Sequence, residues 1–166
     1  VAAAMFGAVT ASVMGWVPLA TGLMFLLLLM LAMKLFSTYE GSDLTIIGFS
    51  MSVHRILSAL PEIQKLGLNP EIIDLRSIKP LDEECIYRSV KKTNRVVIVE
   101  DGWGNTSFGS HLSYLIQSNC FDYLDSEIVK VSGKDVPMPY AENLEALALP
   151  TKDEIVSAAK KVTYTN

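Results

Sequence analysis

A glycine-rich loop is the first feature of the sequence whose residue types could bind a small molecule. Gly102, Gly104 and Gly109 follow an apolar run and precede a helical pattern, which is the setting of a dinucleotide-binding loop. The last glycine comes five residues after the second, whereas the dinucleotide motif has a shorter spacing there. Glu100 and Asp101 would also repel a phosphate. The pattern therefore favours a tight turn, and a nucleotide sensor is the alternative.

A possible serine nucleophile lies near a histidine after the first predicted strand. Ser50 and Ser52 both stand within four residues of His54, and a Ser/His pair supports nucleophilic catalysis when a carboxylate orients the histidine. No G-x-S-x-G motif surrounds either serine, and the sequence indicates no orienting acid. We expect a surface or capping role for His54 and a structural role for His111.

Two basic residues follow the second predicted strand. Arg76 and Lys79 could bind an anion or form an ion pair with another domain. The alternative is a pairing of Arg76 with Asp82 or Glu100 inside the domain. Neither interpretation supplies a complete set of catalytic groups, so the residues alone predict an interaction or assembly module.

Cysteine content and net charge exclude several classes of protein. Cys85 and Cys120 form neither a C-x-x-C motif nor the spacing of a zinc site with His54 or His111, so a zinc centre and a disulfide scaffold are excluded. The formal net charge of the chain is −4. Because nonspecific nucleic-acid binding is driven by the neutralisation of phosphates, we expect no nucleic acid as a partner.

Hydrophobicity is concentrated at the start of the chain. Residues 1–33 contain no charged side chain, and residues 19–36 are long enough to approach the roughly 20 helical residues that a bilayer core requires. We therefore predict a hydrophobic, helical and possibly transmembrane segment over 1–36, with membrane association through it. A buried hydrophobic hairpin or a leader that is not native to the domain is the alternative. Residues 37–42 are predicted to be a polar linker, and residues 43–166 to be one domain.

Strand and helix patterns alternate in residues 43–166. Val96–Val99 is a run of four β-branched residues, which indicates a strand that is buried on both faces, as in a parallel sheet. Asp82 followed by two glutamates is typical of a helix start, and Pro61 is expected to kink or split the first helix. The order predicts an α/β fold, a three-layer sandwich with a mainly parallel sheet. The expected strands are 44–49, 71–75, 95–100 and 127–131, and the expected helices are 52–66, 80–92, 110–117 and 151–161.

Three stretches of the sequence resemble a known family. Residues 74–82, 92–100 and 135–145 are similar, in order and spacing, to the C-terminal domain of pyruvate dehydrogenase beta subunits, which is the transketolase C-terminal domain. The resemblance runs from about Gly41 to Tyr164. Departures from the family pattern are Pro61 and the loop 104–107.

The resemblance implies an assembly role. The family forms an α2β2 component that decarboxylates pyruvate with thiamine diphosphate and Mg and acetylates a lipoyl group. The residues that hold the cofactor belong to an N-terminal domain that nothing here matches, so no catalytic, cofactor-binding or metal-binding residue is assigned to this chain. The implied partners are an alpha subunit, a second beta subunit and the dihydrolipoyl acetyltransferase. Asp125 matches the family position that is implicated in docking the acetyltransferase.

The same resemblance implies the mitochondrial matrix as the compartment, with the bacterial cytoplasm as the alternative.

The alternative to an assembly domain is a function of a different class. A membrane-tethered binding module would keep the fold without its enzyme context, using the hydrophobic residues 1–36 as the tether.

Overall fold

The computed structural model describes Met24 and residues 36–165, which contain five strands and five α-helices. The strands are β1 (Phe36–Tyr39), β2 (Leu44–Gly48), β3 (Pro70–Asp74), β4 (Val96–Trp103) and β5 (Val129–Gly133). The helices are α1 (Met51–Lys65), α2 (Glu83–Thr93), α3 (Phe108–Cys120), α4 (Glu142–Ala148) and α5 (Lys152–Thr163), with a single 3-10 turn over Phe121–Tyr123.

The strands form one mixed sheet in the order β1-β3-β2-β4-β5. The last four of these pair in parallel, and only β1 runs antiparallel, beside β3. Ile46 in β2 lies opposite Ile72 of β3 on one side and Val97 of β4 on the other. All three side chains are fully buried, as expected for parallel strands covered on both faces. The predicted mainly parallel sheet is therefore confirmed.

Helices cover both faces of the sheet. On one face, Ile56 of α1 and Ile155 of α5 pack with Ile46 in one apolar cluster. On the other face, Ile86 of α2 and Ile116 of α3 pack in a second cluster. These two clusters give the three layers that the alternating sequence pattern predicted.

Several helix ends follow their sequence signals. The Asp82 carboxylate accepts a hydrogen bond from the Cys85 backbone N–H, at 3.1 Å, and so caps α2. Thr151 and Glu154 form a reciprocal capping box at the start of α5. Pro61 was expected to kink or split α1, but the helix runs from Met51 to Lys65 with Pro61 inside it. The proline leaves the Leu57 carbonyl without its helical N–H partner, and both residues are exposed, so that water can bond this carbonyl.

Other boundaries differ from the sequence-based expectations. Residues 37–39 of the predicted linker lie in β1, which adds an antiparallel edge strand. β4 continues through Trp103, so the loop that was expected to begin at Asp101 is shorter. α4 had no predicted counterpart. Its sequence lacks an N-terminal capping side chain, and most of the helix is exposed, which leaves a weak periodic signal.

The predicted hydrophobic segment 1–36 falls outside the described residues except at Met24 and Phe36. Among the residues that the structure describes, no helix combines the length and the apolar character needed to cross a bilayer.

Candidate functional site

The glycine-rich loop is built around a buried carboxylate. Glu100 lies in β4 and has no exposed surface. One of its oxygens accepts a hydrogen bond from the Ser107 hydroxyl, and the other accepts one from the Gly109 backbone N–H at 2.8 Å. The Gly109 N–H belongs to the first turn of α3. The positive end of this helix is therefore neutralised by a side chain of the protein itself.

A lysine from the neighbouring strand completes this cluster. Lys130 of β5 places its Nζ 3.5 Å from Glu100 Oε1. The same ammonium group donates to the Ser110 hydroxyl at 2.6 Å and to the Gly104 carbonyl. We call Glu100, Ser107, Ser110 and Lys130 the Glu100 cluster. It ties the loop after β4 to the edge strand β5, and its Glu100 carboxylate already accepts the Gly109 N–H at the start of α3.

The structure does not assemble the possible serine nucleophile. Ser50 and Ser52 lie at the turn from β2 into α1, and His54 is exposed on the first turn of that helix. No hydrogen bond joins His54 to either serine hydroxyl in the described structure, and the buried Ser52 Oγ has no hydrogen-bond partner. His111 is also exposed, and its ring lies 6.0 Å from the Phe108 ring between centroids. The surface and structural roles expected from the sequence are consistent with these positions.

The two basic residues that follow β3 lie at the carboxyl edge of the sheet. Arg76 Nε lies 3.4 Å from Asp74 Oδ2, so Asp74 is a partner that the sequence analysis did not name. Lys79 is exposed. The two basic side chains therefore belong to the carboxyl edge of the sheet, where β2, β3, β4 and β5 all end.

Both cysteines are buried and free. Burial raises the pKa of the Cys85 thiol, and burial likewise raises the pKa of the Cys120 thiol. A higher thiol pKa reduces the thiolate fraction and hence the reactivity at neutral pH. Within the described residues, no group of three or more His, Cys, Asp or Glu side chains is placed to hold a metal ion.

Asp125 lies at the opposite, amino edge of the sheet. Its backbone N–H donates to the Asn94 carbonyl at 2.9 Å, and its carboxylate lies 3.3 Å from Arg95 Nη2. The Tyr164 hydroxyl donates to the Asp125 carbonyl at 3.4 Å. The backbone of Asp125 is thus fixed from two elements, while 53% of its side chain stays exposed.

An open groove of about 470 Å³ surrounds Asp125. We call it the Asp125 groove, and its lining residues are Gln117, Phe121, Leu124, Asp125, Ser126, Glu127, Ile128 and Tyr164. Phe121 and Tyr164 are 66% and 72% exposed. Large exposed aromatic side chains beside a positioned carboxylate are suited to a protein partner that brings apolar surface and a basic side chain. The sequence identified Asp125 through the family resemblance, but not the aromatic residues beside it.

The comparison with protein families identifies one match. The family described as transketolase, C-terminal domain matches residues 37–155.

Curated relatives match about three-quarters of this chain. The pyruvate dehydrogenase E1 component subunit beta of Rickettsia conorii is 50% identical over 125 residues, which are 75% of this chain and 38% of that protein. The mitochondrial subunit of the same name in Dictyostelium discoideum is 47% identical over 127 residues, 76% of this chain and 36% of that protein. The chain spans less than two-fifths of the length of these relatives.

Solved structures share the fold. A split gene transketolase, described as an inactive beta4 tetramer, superposes with a TM-score of 0.68 at 24% identity and covers 80% of this chain and 42% of that one. The 2-oxoglutarate:ferredoxin oxidoreductase from Magnetococcus marinus superposes with a TM-score of 0.53 at 14% identity, over 78% of this chain and 19% of that one. The likeness shows a common architecture.

Proposed function

Because the chain belongs to the transketolase C-terminal domain family, we propose that it acts as the C-terminal assembly domain of a pyruvate dehydrogenase beta subunit. The observation that carries the proposal is the 50% identity over 125 residues with such a subunit. The family match over residues 37–155 includes Glu100, Lys130 and Asp125.

The reaction proposed for the whole assembly is the oxidative decarboxylation of pyruvate to acetyl-CoA, in an α2β2 component that uses thiamine diphosphate and Mg. The described residues do not fit that cofactor. The helix start beside the glycine-rich loop holds the Glu100 carboxylate, and no carboxylate cluster is present among them to bind a cation. We therefore assign the bond-breaking chemistry to other parts of the assembly, and to this chain the contacts that hold the assembly together.

Asp125 is the proposed contact with the dihydrolipoyl acetyltransferase. Its carboxylate is half-exposed and held by Arg95, and the exposed Phe121 and Tyr164 line the same groove. A basic residue of the acetyltransferase can pair with this carboxylate while apolar side chains enter the groove. Charge-paired contacts of this kind set specificity and association rate.

Calorimetric titration of the full chain with the peripheral subunit-binding domain of the acetyltransferase tests this proposal. The wild-type chain should bind, and Asp125→Ala should weaken binding by at least about tenfold, since removing one member of a close charge pair costs 2 kcal/mol or more. Asp122→Ala is the matched control, because Asp122 is an exposed acidic residue three positions away and should leave binding unchanged. Equal affinities for the wild type and Asp125→Ala would contradict the docking role.

The proposed compartment is the mitochondrial matrix, with the bacterial cytoplasm as the alternative. Relatives of both kinds match, a mitochondrial protein of Dictyostelium discoideum and a bacterial protein of Rickettsia conorii.

A further inference from the structure

The Arg95 side chain, which holds the Asp125 carboxylate, is itself fixed in place. Arg95 directly precedes β4, and its carbonyl accepts the Thr45 backbone N–H at 2.8 Å, so its backbone is bonded into the middle of the sheet. Its Nη1 donates to the Asp43 carbonyl at 3.5 Å, and its Nε is buried. Only 30% of the side chain is exposed. The Nη2 that lies 3.3 Å from Asp125 Oδ2 is therefore a fixed donor.

The backbone contacts of Asp125 leave its side chain free to rotate. The Asn94 carbonyl and the Tyr164 hydroxyl bond the N–H and the carbonyl of Asp125, and neither contact restrains rotation about its Cα–Cβ bond. A side chain without further contacts exchanges among staggered rotamers. Within the described residues, the ion pair with Arg95 is the contact that selects one of these rotamers.

The ion pair with Arg95 leaves the carboxylate able to bind a second cation. Arg95 contacts Oδ2, and no donor to Oδ1 is found in the part of the chain that the structure describes. An ionised carboxylate has about four lone-pair sites, and 53% of the Asp125 side chain is exposed. A basic side chain of a partner can therefore bind this carboxylate while Arg95 remains in contact with it.

We propose that Arg95 is a positioning residue for the acetyltransferase contact. Its guanidinium holds the Asp125 carboxylate in the orientation that lines the Asp125 groove, and a side chain that is already ordered loses less conformational entropy on binding. The partner's basic side chain and Arg95 then share one carboxylate. This inference rests on the proposed function, and it assigns to Arg95 the lifetime of the complex.

The charge of Arg95 and its positioning role act on different rate constants. A positive charge beside the groove slows the association of a basic partner, because electrostatic steering acts before contact is made. Loss of a fixed orientation instead speeds dissociation, since most changes inside an interface appear in the dissociation rate constant. The dissociation rate constant therefore measures positioning separately from charge repulsion.

Surface plasmon resonance gives both rate constants, with the full chain immobilised and the peripheral subunit-binding domain of the acetyltransferase in solution. Arg95→Met should raise the dissociation rate constant by about threefold to tenfold, the effect of one side chain that must be ordered on binding. Lys161→Met is the matched control. Lys161 pairs with Glu127 of the same groove at 2.7 Å, so this variant removes an equal charge without altering the contact to Asp125. It should leave the dissociation rate constant within about twofold of the wild type.

Two further measurements separate positioning from a general loss of structure. In the Asp125→Ala background, Arg95→Met should cause no additional increase, because the carboxylate that Arg95 positions is absent. NMR of the unbound chain reports the side chain directly. Three-bond couplings across the Cα–Cβ bond of Asp125 should show one dominant rotamer in the wild type and averaged values in Arg95→Met.

Four results would overturn the positioning role of Arg95. They are an unchanged dissociation rate constant in Arg95→Met, an equal increase in Lys161→Met, an increase that persists in the Asp125→Ala background, and couplings that Arg95→Met does not change. Equal affinities of the wild type and Asp125→Ala would instead refute the proposed docking. The couplings of the unbound chain would still decide whether Arg95 orients the carboxylate, so the two failures are distinguishable.

Discussion

The Glu100 carboxylate and the Lys130 ammonium group lie 3.5 Å apart across two adjacent parallel strands. Ile98 lies opposite Lys130 in the sheet register, and Glu100 is the next residue of β4 on the same face, so the two charged side chains are diagonal neighbours. Glu100 has no exposed surface. A buried carboxylate needs a compensating charge and hydrogen bonds, and the Glu100 cluster supplies both while it fixes the loop that precedes α3.

Removal of the lysine is expected to destabilise the domain. Lys130→Met would leave the buried Glu100 without its cation, and loss of one partner of a buried pair costs about 3 kcal/mol. Urea denaturation at pH 7 measures this change in the free energy of unfolding. Lys161→Met is the control, because Lys161 pairs with Glu127 on the surface and should cost less than about 1 kcal/mol. Equal costs for the two variants would refute a stabilising role of the Glu100 cluster.

The lack of space between Gly109 and the Glu100 carboxylate makes this glycine sensitive to substitution. A Cβ atom at Gly109 would lie 2.6 Å from Glu100 Oε1 and 2.7 Å from its Cδ. Because the carboxylate is held by Ser107 and Lys130, it has little freedom to move away. We expect Gly109→Ala to lower the free energy of unfolding by about 1–3 kcal/mol.

Gly102→Ala is the matched control for that substitution. A Cβ at Gly102 would meet Ser107 Cβ at 3.4 Å, an ordinary contact. Its cost should therefore stay within about 0.5 kcal/mol. Thermal or urea unfolding of the two variants compares them directly, and a Gly109→Ala protein as stable as the wild type would show that the carboxylate can be displaced.

Stability at acidic pH should depend on Glu154. The Lys134 ammonium group and the Thr151 backbone N–H hold the pKa of this carboxyl below its ordinary value of 4.5. A carboxyl whose pKa is lower in the folded protein than in the unfolded chain adds stability above the unfolded value, and the contribution is lost as pH falls through the folded value. The difference in unfolding free energy between the wild type and Glu154→Gln should be constant at neutral pH and shrink below pH 4.5.

A second variant tests the contribution of Lys134 to this pH dependence. Lys134→Met removes the largest cause of the lowered pKa, the hydrogen bond from Lys134 Nζ to Glu154 Oε1 at 2.6 Å. Acid titrations of stability should therefore show a weaker dependence on pH in this variant than in the wild type. Identical acid profiles would contradict the assignment.

Local signals predicted most of the fold. The β-branched run Val96–Val99 is a buried strand, and Asp82 caps its helix. These features depend on a few neighbouring residues, so a single sequence reveals them. β1 escaped prediction because it depends on tertiary pairing, as of Ser37 with Ile73. α4 escaped prediction because it is mostly exposed and lacks a capping side chain.

The site was predictable only in part, for the same reason. Asp125 was identified by its resemblance to a family position, whereas its ion pair with Arg95 joins residues thirty positions apart. Glu100 and Lys130 are equally distant in sequence. Only the parallel register of β4 and β5 brings the latter two together, and no local spacing encodes that register.

The central claim is that this chain holds an assembly together and that decarboxylation takes place elsewhere. Release of labelled carbon dioxide from pyruvate by the purified chain, supplied with thiamine diphosphate, Mg and an electron acceptor, tests it most directly. We predict no release above a blank without protein. Sustained turnover by the chain in isolation would contradict the claim.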